Sequence, residues 1–202
     1  WPPSPEELQP AMEDSSHFFY LADILGSSEL PDVNPVRLSI FNVAEAWIFG
    51  FLPALWKSPK RLPRPILLLS WSFLGLGLTN AFLAPYLYAT ESRGAAPPPI
   101  EDEEESSMDP IAVTGFGVTV LSVVGWACFQ LLTNATVDDW QGFSQLVRTD
   151  RTYFAFCVDL VLFSVFQPLI LRRSRGYSKK PVDAIPIVGL LAWMKDDVSG
   201  RR

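Results

Sequence analysis

Thr152–Arg173, TYFAFCVDLVLFSVFQPLILRR, is an apolar run closed by two arginines with a single acid, Asp159, inside it. A helix crossing a hydrocarbon core of about 30 Å needs about 20 such residues, so the stretch reads as a membrane span. Three further blocks have the same character: Leu38–Trp56, Pro65–Thr90 and Pro110–Thr133. Each is near or above the lower limit of about 17 residues, and nearly all the charge falls between them. The expected fold is an all-α polytopic membrane helical bundle of about four transmembrane helices, with interfacial helices and extended termini.

Composition agrees. The 202 residues are 49% hydrophobic and only 19% charged, with a mean hydropathy of +0.19, between a soluble domain and a pure membrane bundle. A net charge of −6 with no basic stripe argues against a nucleic-acid partner. Cys128 and Cys157 both fall inside spans and read as small packing residues rather than a disulfide framework. The single histidine, His17, makes a structural zinc or a haem with two histidine ligands an unsuitable expectation. No nucleophile elbow, phosphate loop, dinucleotide fingerprint or histidine box is present, and the chain is expected not to be an enzyme. Trp1 stands where a methionine would, which implies a leader upstream.

Five sections follow along the chain. Residues 1–37 form an extended N-terminal segment whose island HFFYLADIL, His17–Leu25, is too short to cross and suits a surface helix. Residues 38–90 hold the first helix pair. Its first span carries Asn42 and Glu45, with Trp47 and Trp56 as interface anchors. Its second contains Gly75, Gly77, Asn80 and Pro85. Residues 91–109, with three prolines and five consecutive acids, make a hydrated linker. Residues 110–172 hold the second pair. In its first member Gly115, Thr119, Ser122 and Gly125 form a small-residue strip, which predicts a helix at the centre of the bundle. Between the two, Trp140, Phe143 and Leu146 predict a short amphipathic interface helix. Residues 173–202 are basic at first, and AIPIVGLLAWMK, at 12 residues, is too short to span. It is expected to be re-entrant, interfacial or packed on another subunit.

Laying the first span over the fourth aligns Phe41, Val43, Phe51 and Pro53 with Phe156, Val158, Phe166 and Pro168, without a gap. A basic loop and an apolar segment follow each copy. The positive-inside rule puts the loops 57–64 and 172–180 in one compartment, whereas three intervening crossings put them in two. Either one block does not cross, or the repeat is inverted.

An acid within a span is costly and is by default a functional hypothesis, which singles out Glu45 and Asp159. Two chemistries suit such groups. Glu45 foremost, then Asn42, Gln130, Gln167 and His17, are candidate axial ligands to the magnesium of a chlorophyll, a hard cation that takes oxygen donors. No other metal is expected. A proton relay through Glu45 and Asp159 is the alternative, as is the bland reading in which each acid reaches water near a span end. The seven tryptophans suit lipid interface belts and pigment contact alike. Asn134-Ala135-Thr136 matches a glycosylation sequon.

Trp126 and Gln130, Trp140-x-x-Phe143, Phe156-x-x-Asp159-Leu160-x-x-Phe163-Ser164 and Ile185-Pro186-x-x-Gly189-Leu190 together resemble small uncharacterised multi-span membrane proteins of cyanobacteria and chloroplasts. The likeness covers about residues 111–195, and Leu62–Gly77 is similar in flavour to the closing helix of those proteins. The terminal helix is shorter here, and the acidic insert interrupts the chain. The resemblance implies an integral membrane protein of the chloroplast thylakoid, and it makes the expected leader a transit peptide. The function expected on that basis is a non-enzymatic auxiliary, linker or scaffold subunit of a photosynthetic membrane complex. It would lie among membrane lipids beside photosystem core or antenna proteins and hold chlorophyll and carotenoid. The alternatives are a small proton-coupled carrier and a thylakoid assembly factor.

Overall fold

A computed structural model describes residues 33–58, 63–72, 80–92, 108–176, 178 and 180–200. His17, the 17–25 island and most of the acidic linker lie outside the described residues. Those described form seven α-helices and no strand: α1 Pro35–Lys57, α2 Arg64–Ser70, α3 Asn80–Ser92, α4 Pro110–Thr133, α5 Val137–Thr149, α6 Arg151–Ser174 and α7 Val188–Val198. A single 3-10 turn, Pro181–Ala184, precedes α7. Three helices among the described residues, α1, α4 and α6, are long and apolar enough to cross a membrane. The remaining block of the expected four appears as the shorter α2 and α3, with 73–79 between them outside the description.

Burial separates these three sharply. Some 78% of the apolar window of α1 is buried, against 17% in α4 and 22% in α6. Among the described residues the central position expected for the small-residue helix is therefore corrected: Gly115, Thr119, Ser122 and Gly125 all lie exposed on α4, and none of the described residues stands within 4 Å of a Cβ built on Gly115 or Gly125. Small residues allow close approach but do not compel it. The span that packs most is the one whose notch, Gly50, is filled. Leu190, Val120 and Met194 crowd the place a Cβ would take there.

Contacts divide the chain into two compact units, Trp1–Glu45 with Val124–Val158, and Ala46–Val123 with Asp159–Arg202. In the first, Val36, Phe143 and Tyr153 form a core flanked by Ile40, Leu131, Leu146, Val147 and Cys157. Helix α5 is amphipathic as expected, and Thr136 and Asp139 close a capping box at its start. Of its three apolar markers Phe143 is buried, whereas Trp140 faces outward. Asn34 caps α1 by accepting from the Val36 and Arg37 amides at 3.0 Å, and its own amide donates to the Asp139 carbonyl.

Ring contacts pair α1 with α6 in each unit. In the first, Arg37 lies over Tyr153 and Phe41 stacks on Phe156. In the second, Trp47 and Phe51 both meet Phe163. In the first unit rising numbers on α1 meet rising numbers on α6, so there the two helices run parallel. Within that unit the paired segments of the first and fourth spans are not inverted.

The second unit also holds α7. Its Leu190, Trp193 and Met194 are buried, against Gly50 of α1 and beside Gly117 of α4. The segment expected to be re-entrant, interfacial or packed on another subunit packs on its own chain. It runs parallel to α1: Leu190 meets Gly50, while Trp193 and Asp197 meet Lys57.

Candidate functional site

Proline at position 168 and the glutamine before it sit where α6 meets the segment leading into α7, and the glutamine organises that junction. The Gln167 side chain is fully buried. Its Oε1 accepts from Trp47 Nε1 at 2.8 Å and from the Ile187 amide at 2.9 Å. Its Nε2 donates to the Asp183 carbonyl at 2.9 Å and the Ile185 carbonyl at 2.8 Å. An amide offers two acceptor positions and two donor hydrogens, and all four are used. Gln167 is therefore a staple between α1, α6 and the 183–187 turn, which removes it from the candidate magnesium ligands. Trp47, expected at the membrane interface, is instead buried as one of its partners.

The stapled turn has reason to need holding. Ile187 has φ 62°, a left-handed conformation unusual for a β-branched residue, and its amide is the one that donates to Gln167. Two residues on, a Cβ at Gly189 would stand 2.5 Å from the Val182 carbonyl oxygen. Only glycine fits against that backbone.

Beyond the turn, charges converge where α1, α6 and α7 end. Arg175 pairs with Asp183 and, at 3.3 Å, with Asp196. Lys180 reaches Asp196 at 2.7 Å, and Lys57 pairs with Asp197 while lying over the Trp193 ring. The hydrogen bond from Lys180, helped by the charges of Lys180 and Arg175, holds the Asp196 carboxyl below the usual carboxylate range. A cavity of about 270 Å³ opens there, lined by Lys57, Arg175, Lys180, Trp193, Asp196 and Asp197. Lys57 of the first basic segment and Arg175 and Lys180 of the second meet at this one place.

The remaining candidates are spread. Ser39, Asn42 and Glu45 recur three residues apart on α1, and all are buried. Asn42 donates back to the Leu38 carbonyl at 2.8 Å, while Ser39 Oγ and Glu45 Oε2 have no hydrogen-bond partner among the described residues. Gln130 is buried on α4 and accepts from Asn134. That bond engages the sequon's asparagine amide, and Thr136 is engaged as the cap of α5. Asp159 is partly buried on α6, and it belongs to the second unit while Glu45 belongs to the first. Among the described residues no group of three or more His, Cys, Asp or Glu side chains gathers.

Three features escaped the sequence: the fourfold role of Gln167, the partnership of Gly50 with α7, and the ionic cluster. A glutamine immediately before a proline inside an apolar run was the available signal for the first. No family model, no curated protein and no solved structure matches the chain.

Proposed function

We propose that this chain is a non-enzymatic subunit of a larger membrane complex, embedded through α1, α4 and α6. The exposed apolar surface of α4 and α6 carries the proposal: Ile111, Phe129 and Leu132 on one, Phe154, Val161 and Val165 on the other. Over Gly115 and Gly125 that surface is also open enough for a neighbouring helix to approach closely. The buried polar groups of the second unit, by contrast, serve the fold, as Gln167 does. The photosynthetic membrane of the sequence resemblance is the setting we propose for this complex, with photosystem or antenna proteins as neighbours. If it holds chlorophyll, Glu45 is the residue that fits, because one of its oxygens is buried without a hydrogen bond.

In this arrangement α2 enters the bilayer beside α1, and α3 ends at the level where α6 ends. Arg64 lies over Trp56 near the end of α1. Seven residues on, Trp71 donates to the Ile48 carbonyl, deeper in the span. Thr90 then accepts from Arg173 at the matching end of α6. Three crossings rather than four put both basic segments in one compartment, as the positive-inside rule asks.

The unpartnered Glu45 oxygen also favours the carrier reading, so the experiment separates the two. Native membranes are solubilised in mild detergent, complexes are separated by size, and the absorption of the fraction holding the chain is recorded. Migration in a large pigmented assembly supports the subunit reading. A small colourless species whose pH-driven transport disappears in Glu45→Gln supports the carrier and sinks the subunit.

A further inference from the structure

Helices α4 and α7 leave an open groove between them, within the second unit. Val113, Gly117, Val118 and Leu121 form one wall, and Leu191 and Met194 the other, around a volume of about 460 Å³. We infer that the groove holds one acyl chain of an anionic phospholipid, whose headgroup meets Lys195.

The groove has a shallow and a deep end. Because Leu190 lies at the level of Gly50 and Asp197 at that of Lys57, α7 rises toward the end of α1 as its numbers increase. Leu191 therefore stands deep, and Val198 and Ser199 stand shallow. Helix α4 enters from the shallow end, so Val113 and Thr114 precede Leu121 on the way in. Nine residues of helix, 113 to 121, cover about 12 Å at 1.5 Å each, which suits the upper part of a lipid tail. The absence of a side chain at Gly117 keeps the floor open, with Met194 Sδ 3.5 Å from where a Cβ would stand. The wall residues Val118 and Leu121 belong to the exposed face of a helix apolar enough to cross a membrane, so lipid is the medium this groove meets.

Charge selects the lipid. Of the consecutive charges Lys195, Asp196 and Asp197, the two acids turn toward Lys180, Arg175 and Lys57. Lys195 is exposed, lines the groove, and has no acid paired with it among the described residues. A lysine at that level extends its amine toward the headgroups, where a phosphate is the complementary charge. The Thr114 and Ser199 hydroxyls donate to backbone carbonyls and complete the polar rim. The inference needs the membrane embedding of α4 but not the larger complex proposed above.

The test is native mass spectrometry of the full chain in mild detergent, titrated with phosphatidylglycerol or phosphatidylcholine. One bound phosphatidylglycerol is expected, retained about fivefold over phosphatidylcholine, the contribution of one lysine near an anionic membrane surface. Lys195→Glu, an exposed substitution outside the core, should abolish that preference, and Gly117→Leu should remove the bound lipid. Equal retention of the two lipids by the unaltered chain overturns the inference. So does an unchanged preference in Lys195→Glu, or a pigment occupying the groove in place of lipid. If Gly117→Leu fails to fold, Val118→Trp narrows the same groove from the exposed side and is read in the same way.

Discussion

The rings of Phe41 and Phe156 stack with their centroids 5.6 Å apart and their planes within 23°. These two residues are equivalent in the gapless overlay of the first span on the fourth. A residue that touches its own equivalent is what two parallel copies related by an axis along their length produce.

The stack should contribute measurably to stability. In a double-mutant cycle of Phe41→Leu and Phe156→Leu, read by unfolding in detergent, a coupling of about 1 kcal/mol is expected, the range for aromatic pairs beyond their buried area. Additive single effects would show that the rings are neighbours without a specific interaction.

Gln167 offers a harsher test. Methionine matches its length but leaves the Trp47 and Ile187 N–H groups and two carbonyls without their partner. Each orphaned group costs about 1–3 kcal/mol, so Gln167→Met should destabilise by about 3 kcal/mol or more. Gln167→Glu, held protonated by its burial, keeps the acceptors and one of the two donors, and should fall between the unaltered chain and the methionine variant. Hydrogen exchange at the Ile187 amide reports the local opening directly.

Two glycines should respond differently to the same added methyl group. Gly189→Ala presses on the Val182 carbonyl and the Asp183 backbone, which cannot move aside without opening the turn, and a loss of about 2–3 kcal/mol is expected, near the upper end for overpacking. Gly50→Ala meets the ends of the Leu190, Val120 and Met194 side chains, which can shift rotamer. Its expected cost is below about 1.5 kcal/mol. Thermal unfolding of both variants in one detergent checks the ranking.

Sidedness separates three crossings from four. Pro63 and Ser178 are exposed, and each takes a cysteine in a background with Cys128 and Cys157 replaced. Both should react with a membrane-impermeant maleimide from the same side of sealed vesicles. Labelling from opposite sides would restore a fourth crossing.

Acid should loosen α7. The Asp196 carboxyl titrates below its ordinary value of about 3.9 because Lys180 and Arg175 stabilise its charged form. A carboxylate depressed on folding contributes stability that is full above the ordinary value and is lost as pH falls through the lower, folded one. The emission of Trp193 should therefore change below about pH 4, and the acid dependence should be smaller in Asp196→Asn. An unchanged profile in that variant would remove Asp196 from the cause.

The long helices were legible because about twenty apolar residues in a row have few other uses. Helix α5 was legible too, since Trp140, Phe143 and Leu146 recur three residues apart, and Phe143 and Leu146 pack on one core. Which span would be buried was not. In water, a polar face and an apolar face tell inside from outside, but both faces of a membrane helix are apolar, so α1 and α4 look alike in hydropathy and differ in burial. The small-residue strip of α4 accordingly misled, while the single Gly50 of α1 was the contact actually used. Gln167 was noticed as a polar atom in an apolar run, and its oxygen suggested a ligand. Its partners come from four places in the sequence, Trp47, Asp183, Ile185 and Ile187, and no local pattern joins them.

The seating of α7 against α1 also governs how the chain is made. Lys57 precedes Asp197 by 140 residues, so the most buried helix emerges from the ribosome long before its last neighbour exists. Through that interval the Gly50 notch is empty, and Asn42 and Glu45 enter the bilayer on a helix whose packing is incomplete. Nascent chains stalled short of Leu190 should be the ones that insertion chaperones retain and membrane proteases remove, with release timed by the emergence of α7 rather than of the last long span.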